Sequence, residues 1–282
     1  MGLFGKLFDK KICDICGEEI GLLGNRKLED GNCCKACAKK LSPWFTDRKQ
    51  STVEEITRQL AYREENKQVL ADFQETDSFG NDFRRVLVDR PKGLFTVTPV
   101  SGDWREDNPD VLRFDQVSDV SLDVYEDRDE LKREVRNADG EIERESYTPR
   151  RYLYGYDFRV TIHVKNPYFD EMDLKLNNRQ VDVRASFDDP IFGRRTEGST
   201  QPPTENDKRN DPDYAQYLKM FEQIRSLLLD PENRTEAQEP VKAAPEEEAV
   251  KPKSKFCRWC GAPVANPTPD GTCEYCGGKL DI

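Results

Sequence analysis

The feature that most constrains this chain is where its cysteines stand. Cys13, Cys16, Cys33, Cys34 and Cys37 lie near one end, Cys257, Cys260, Cys273 and Cys276 near the other, and the long middle has none. They write four C-x-x-C pairs: Cys13/Cys16, Cys34/Cys37, Cys257/Cys260 and Cys273/Cys276. A two-residue gap lets a tight turn aim two thiolates at one centre, and two such pairs complete a tetrahedral shell for Zn²⁺. Seventeen residues separate the first two pairs and 12 the last two, spacings that suit small zinc modules. The pattern predicts two zinc ions per chain. An iron–sulfur cluster also takes four thiolates, and spacing alone does not separate the two metals. No secretory signal opens the sequence, so a reducing, cytoplasmic setting is expected, where disulfides do not persist. Cys33 is the odd thiol. It can exchange with Cys34 as a ligand, but only Cys34 gives the C-x-x-C spacing.

Gly17, Gly261 and Gly277 each follow the second Cys of a pair, as in zinc knuckles, where backbone N–H groups approach the sulfurs. The pair Cys34/Cys37 lacks that glycine and runs into Ala38-Lys39-Lys40-Leu41, which reads as a helix start. The first site is therefore expected to be treble-clef-like: a knuckle, a hairpin across Gly21–Gly31, and a helix. The second, with a knuckle at both pairs, reads as a zinc ribbon. Closed four-thiolate sites leave no position for substrate and hold together segments too small to bury a core.

Composition narrows the function. The 282 residues are 35% hydrophobic and 35% charged, with a mean hydropathy of −0.86, which argues against one core running through the chain. Forty-four Lys and Arg against 55 Asp and Glu leave −11, the wrong sign for a phosphate-seeking protein. No apolar run approaches the roughly 20 residues of a membrane span. The one His, His163, falls on the polar face of a strand and is expected to be solvated. No G-x-S-x-G, P-loop or G-x-G-x-x-G occurs, and acidic runs such as Glu126-Asp127-Arg128-Asp129-Glu130 read as solvated faces. An enzyme is not expected.

The middle of the chain supplies the elements. Ser51 with Glu54 reads as a capping box, and Val53, Ile56, Leu60, Leu70 and Phe73 recur at helical spacing in an otherwise charged stretch. That predicts a solvent-exposed helix joining the finger to the central domain. From Phe83 to Val183 the period changes to two. Val86–Val88 and Leu94–Val97 flank a turn, Val120, Leu122 and Val124 alternate with polar residues, and Tyr156, Phe158, Val160, Ile162 and Val164 do the same. Asp139-Gly140 marks a hairpin tip between two charged arms. About seven strands predict an antiparallel sheet curling on itself. A polar loop over 184–212 leads to a helix with Tyr214, Tyr217, Leu218, Phe221, Ile224 and Leu228 on one face, capped by Asp211 or Asp213 and ended by Asp230-Pro231.

Strands closed by one amphipathic helix resemble the pleckstrin-homology-like (PH/GRAM) superfold, and Val111–Val124 resembles its bacterial strand pair. Cys13-Asp14-Ile15-Cys16-Gly17, Gly21-Leu22-Leu23-Gly24-Asn25-Arg26 and Cys37-Ala38-Lys39-Lys40-Leu41-Ser42, with a PH-like part ending near Asn166-Pro167-Tyr168-Phe169-Asp170, resemble a bacterial family of unknown function. The resemblance implies a domain layout and no reaction. The expected architecture is α+β and multidomain: a zinc finger at 1–50, a connecting helix at 51–78, a PH/GRAM-like domain at 79–230, a disordered linker at 231–255 and a zinc ribbon at 256–282.

These readings point to a zinc-binding, non-enzymatic adaptor or scaffold that binds a protein partner. Candidate contacts are Phe187, Ile191 and Phe192 on the loop, and Trp259 and Tyr275 on the ribbon. One alternative is a peripheral membrane protein, with Leu3, Phe4, Leu7 and Phe8 as an amphipathic anchor. The charge of −11 favours packing of that segment on the finger instead. Another is a nucleic-acid-associated ribbon, for which the basic footprint is lacking.

Overall fold

The structure is a computed structural model that describes residues 11–100, 102–186 and 197–230. The chain divides into two units, Met1–Thr235 and Glu236–Ile282, and the described residues belong to the first. The segment of Leu3 to Phe8, the loop aromatics Phe187 and Phe192 with Ile191, the linker 231–255 and the ribbon with Cys257, Cys260, Cys273 and Cys276 lie outside them.

The N-terminal part is made of very short elements. Strands β1 (Lys11–Ile12) and β2 (Glu19–Ile20) pair antiparallel, as do β3 (Arg26–Lys27) and β4 (Asn32–Cys33), and helix α1 (Lys35–Lys39) comes next. Such elements bury little. Cys13, Ile20, Leu28, Cys33, Cys37 and Leu41 form a small core that is closed from outside by Ile56.

Ile56 belongs to α2 (Val53–Asp72). Its capping box is Thr52 with Glu55, one residue later than the Ser51/Glu54 reading. The Glu55 N–H donates to Thr52 Oγ1 at 3.2 Å, and the Thr52 N–H donates to the Glu55 carboxylate at 2.7 Å. Ser51 is buried and donates instead to the Asp47 carbonyl at 3.0 Å. The expectation of an exposed connecting helix is corrected here too. Ile56, Gln59, Arg63, Asn66 and Leu70 are all buried: Ile56 and Leu70 through the apolar stripe, Arg63 and Asn66 through hydrogen bonds, and Gln59 with neither of its side-chain polar atoms hydrogen-bonded. Arg63 donates to Asp110 Oδ1 at 2.7 Å and to the Lys40 carbonyl at 3.2 Å, and it also bonds the Asn108 carbonyl. Ser42 donates to the other Asp110 oxygen at 2.8 Å. Asn66 donates to the Pro109 carbonyl at 2.8 Å and accepts from the Val111 N–H at 2.9 Å. A buried charge survives when paired and fully hydrogen-bonded, which is the arrangement here.

The body divides its strands between two antiparallel sheets. The first is a meander of β5 (Asp77–Gly80), β6 (Arg84–Asp89), β7 (Leu94–Pro99) and β8 (Val111–Arg113). The second centres on the long hairpin of β9 (Val117–Arg136) and β10 (Ile142–Val164). One edge of β10 pairs with β9; along the other, residues 159–163 meet β11 (Glu171–Lys175) and residues 154–156 meet β12 (Val181–Val183). Between those two strands Asn177, fully buried, accepts from the Phe158 N–H at 2.9 Å and donates to the Tyr156 carbonyl at 3.1 Å. Two sheets thus replace the single curled sheet, and β5 begins at Asp77, within the stretch read as helical connector.

Both sheets face one core. Val86, Val88, Phe95 and Val97 from the first meet Tyr154, Tyr156, Phe158, Val160, Ile162, Met172 and Leu174 from the second. Helix α4 (Pro212–Leu229) closes it, with Tyr214, Ile224, Leu227 and Leu228 buried and the Tyr214 ring 4.8 Å from that of Phe158. Fully burying side chains of this size contributes roughly 1.5–3 kcal/mol each. Asp211 caps α4 by accepting from the Asp213 and Tyr214 N–H groups, each at 3.0 Å. The loop expected over 184–212 contains a further helix, α3 (Glu205–Asn210), started by a Thr204/Asp207 capping box. Past the core the β9–β10 hairpin continues as a two-stranded arm, with residues 147–150 of β10 bulging out of the ladder opposite Leu131 and Lys132, to its tip at 137–141, where Asn137 Oδ1 accepts from the Asp139 and Glu141 N–H groups at 3.1 and 2.9 Å. Among the described residues no helix is long and apolar enough to cross a membrane.

Candidate metal centre

Cys13 follows β1 and Cys16 ends the turn after it. Gly17, at φ +75°, takes the left-handed conformation that returns the chain, so its N–H donates to the Cys13 carbonyl at 2.8 Å. Cys34 is the N-cap of α1, and its sulfur accepts from the Cys37 N–H at 3.3 Å. The Cys34 N–H in turn donates to Cys13 Sγ at 3.2 Å. The knuckle is fastened to β4 by Asp14, whose N–H donates to the Asn32 carbonyl at 2.8 Å and whose carboxylate accepts from the Asn32 N–H at 2.7 Å. Gly31 sits where these parts meet. A Cβ there would lie 2.6 Å from Val53 Cγ2 and 2.8 Å from Asp14 Oδ2, so any side chain would have to displace one or both of them.

The result is one convergent cluster. The sulfurs of Cys13, Cys16, Cys34 and Cys37 all lie within 4.8 Å of one another, and Cys16 and Cys34 are 3.8 Å apart. A tetrahedral zinc site with Zn–S near 2.3 Å has sulfur–sulfur edges of about 3.8 Å. The donor set therefore fits: four cysteines that can hold a zinc ion, with no fifth ligand position. Such an ion neutralises thiolate charge and cross-links the knuckle to α1.

Electrostatics within the cluster calls for a cation. Burial works against ionisation of Cys13, but the N–H groups of Cys16, Cys34 and Ile15 outweigh it and bring that thiol down to about 6. Burial, reinforced by the neighbouring sulfurs of Cys16 and Cys34, pushes Cys37 well above the ordinary thiol range. Thiolates this close oppose one another's ionisation until a metal supplies compensating charge. Cys33 stands apart. It is fully buried in the finger core, donates weakly to the Cys34 carbonyl at 3.4 Å, and burial followed by the charges of Cys13 and Cys34 pushes it up to about 11. The geometry thus selects Cys34 over Cys33.

His163 lies on the polar face of β10 with 34% of its side chain accessible, its Nε2 3.2 Å from Ser121 Oγ and its Nδ1 3.3 Å from Glu171. Spacing also left Asp14, Gly31 and the Arg63–Asp110 clamp unread. For the clamp a signal existed, since residues 56, 59, 63, 66 and 70 follow a 3-4-3-4 rhythm in which polar residues fill apolar positions. Leu22 and Leu23, on the turn after β2, are 86% and 92% exposed.

Residues 11–59 match the family described as Domain of unknown function (DUF4428). The matched stretch covers the finger and the first turns of α2, and so includes Ile56. No curated protein and no solved structure matches the chain.

Proposed function

We propose that the chain is a zinc-stabilised, non-enzymatic adaptor that engages a protein partner. The observation that carries this reading is the Leu22–Leu23 turn. Two adjacent leucines, 86% and 92% exposed, project from a finger that is too small to spare apolar residues. A closed thiolate site has no room for substrate, which favours a scaffold over a catalyst. The PH/GRAM-like reading of the body is supported by two antiparallel sheets around one core closed by α4. A sulfur cage sized for one ion favours zinc over a multi-iron cluster, and a second ion at Cys257, Cys260, Cys273 and Cys276 is inferred from their spacing.

The test compares wild type with the Leu22→Ser/Leu23→Ser variant in quantitative pull-downs from the native host. The adaptor reading expects a defined set of proteins that is lost with the variant while zinc content stays unchanged. An unchanged set would overturn it, as would flotation of the wild type with phospholipid vesicles abolished by the same variant.

A further inference from the structure

The β9–β10 arm leaves one strand edge open. β9 hydrogen-bonds to β10 on one side, and among the described residues no strand pairs with its other side. From Tyr125 to Arg136 none of its residues is buried. Exposed edges are usually blunted with charge, and a row of one sign would keep copies apart. The row here is of two signs, and its order is antisymmetric about Leu131: Glu126-Asp127-Arg128-Asp129-Glu130, then Lys132-Arg133-Glu134-Val135-Arg136.

We propose that this edge pairs antiparallel with the same edge of a second copy, about a twofold axis at Leu131. That register sets Arg128 opposite Glu134, Asp129 opposite Arg133 and Glu130 opposite Lys132, with Leu131 meeting its own counterpart. Glu126 falls opposite Arg136, although it already accepts from Tyr156 Oη at 2.8 Å. Asp127 meets Val135, and no like charges meet. Opposed residues share a face of the ribbon, as antiparallel pairing requires. Neighbouring registers are penalised. Centring on Glu130 sets Glu126 against Glu134 and Arg128 against Lys132; centring on Lys132 sets Arg128 against Arg136 and Glu130 against Glu134. Within one chain Arg133, Glu134 and Glu130 already meet Glu145, Arg144 and Arg150 of β10 at 3.2, 3.8 and 3.7 Å, whereas Asp129 faces Leu153 and Lys132 faces Ser146, so those two have no countercharge directly opposite on β10. The second copy supplies both, and the joined arms make a four-stranded sheet by isologous contact.

The experiment is sedimentation of the full chain over a range of concentration and salt, with two charge-swapped variants. In Asp129→Arg/Glu130→Lys the centre of the strand is all basic; in Lys132→Glu/Arg133→Asp it is all acidic. Wild type is expected to dimerise, more weakly at high salt. Each variant alone should dimerise about tenfold or more weakly, and an equimolar mixture should form a heterodimer. A monomeric wild type, a dimer that survives in both variants, or a mixture that stays monomeric would overturn the proposal.

Discussion

Arg63 and Asp110 show how a charged residue becomes part of a core. Both are almost wholly shielded from solvent, and every strong contact of the guanidinium is with the Lys40 carbonyl, the Asn108 carbonyl or the Asp110 carboxylate. Burial pushes the Asp110 carboxyl up, while Arg63 and the Ser42 hydroxyl oppose that push. Arg63→Met strands the carboxylate and should destabilise by about 3–5 kcal/mol, more than the paired removal Arg63→Met/Asp110→Leu. Chemical denaturation of the two single variants and the double reads the coupling, and strict additivity would contradict the clamp. Asp207 makes a different, pH-dependent contribution. Hydrogen bonds from Ser186, then from Thr204, hold its carboxyl down at about 2. A carboxyl depressed in the folded state stabilises above its unfolded value near 3.9, and that stability is lost as pH falls toward 2. Asp207→Asn should flatten the acid limb between about pH 4 and 2 and cost about 1 kcal/mol at neutral pH, because Asn keeps only one of the two oxygens that accept from Ser186 and Thr204. Denaturation curves at pH 6, 4 and 2.5 would show it.

At the scale of elements, α2 belongs to two cores at once. Its first turns fill the finger through Ile56, its middle docks through Arg63 and Asn66, and its end packs with Phe73 against Leu87 and Val111. Ile56→Ala should therefore cost about 2–5 kcal/mol and make the finger release metal to a chelator faster than wild type. Hydrogen exchange gives the complementary view. Metal removal should strip protection from residues 11–59 while Leu70 and strands β6 and β7 stay protected; uniform loss throughout would mean that body and finger unfold as one. Much of this was legible in advance. The alternation from Tyr156 to Val164 read correctly as a half-buried strand because period two separates faces, and the apolar face of α4 was plain in its 3–4 spacing. The buried side of α2 was not, because Arg63 and Asn66 look solvent-facing until Asp110 and the carbonyls of Asn108 and Pro109 arrive from more than 40 residues away. α3 lay inside the stretch read as a polar loop, though Thr204 and Asp207 already spelled its cap.

For the whole molecule, the cysteine spacing named the four residues whose sulfurs converge, Cys34 among them, and the fold shows why Cys33 stays out of that cluster. The two are neighbours in sequence yet face opposite ways: Cys34 caps α1 toward the other sulfurs, and Cys33, on the last residue of β4, turns into the core. An ion held by that cluster would brace the N-terminal segment, and α2 holds the segment on the body. Elemental analysis of the purified full chain with Cys34→Ser and Cys33→Ser tests this most directly. The expected result is two zinc ions in the wild type, one fewer in Cys34→Ser, and no loss in Cys33→Ser. Wild-type protein with no zinc, a visible iron–sulfur absorption band, or zinc lost from Cys33→Ser but kept in Cys34→Ser would contradict it.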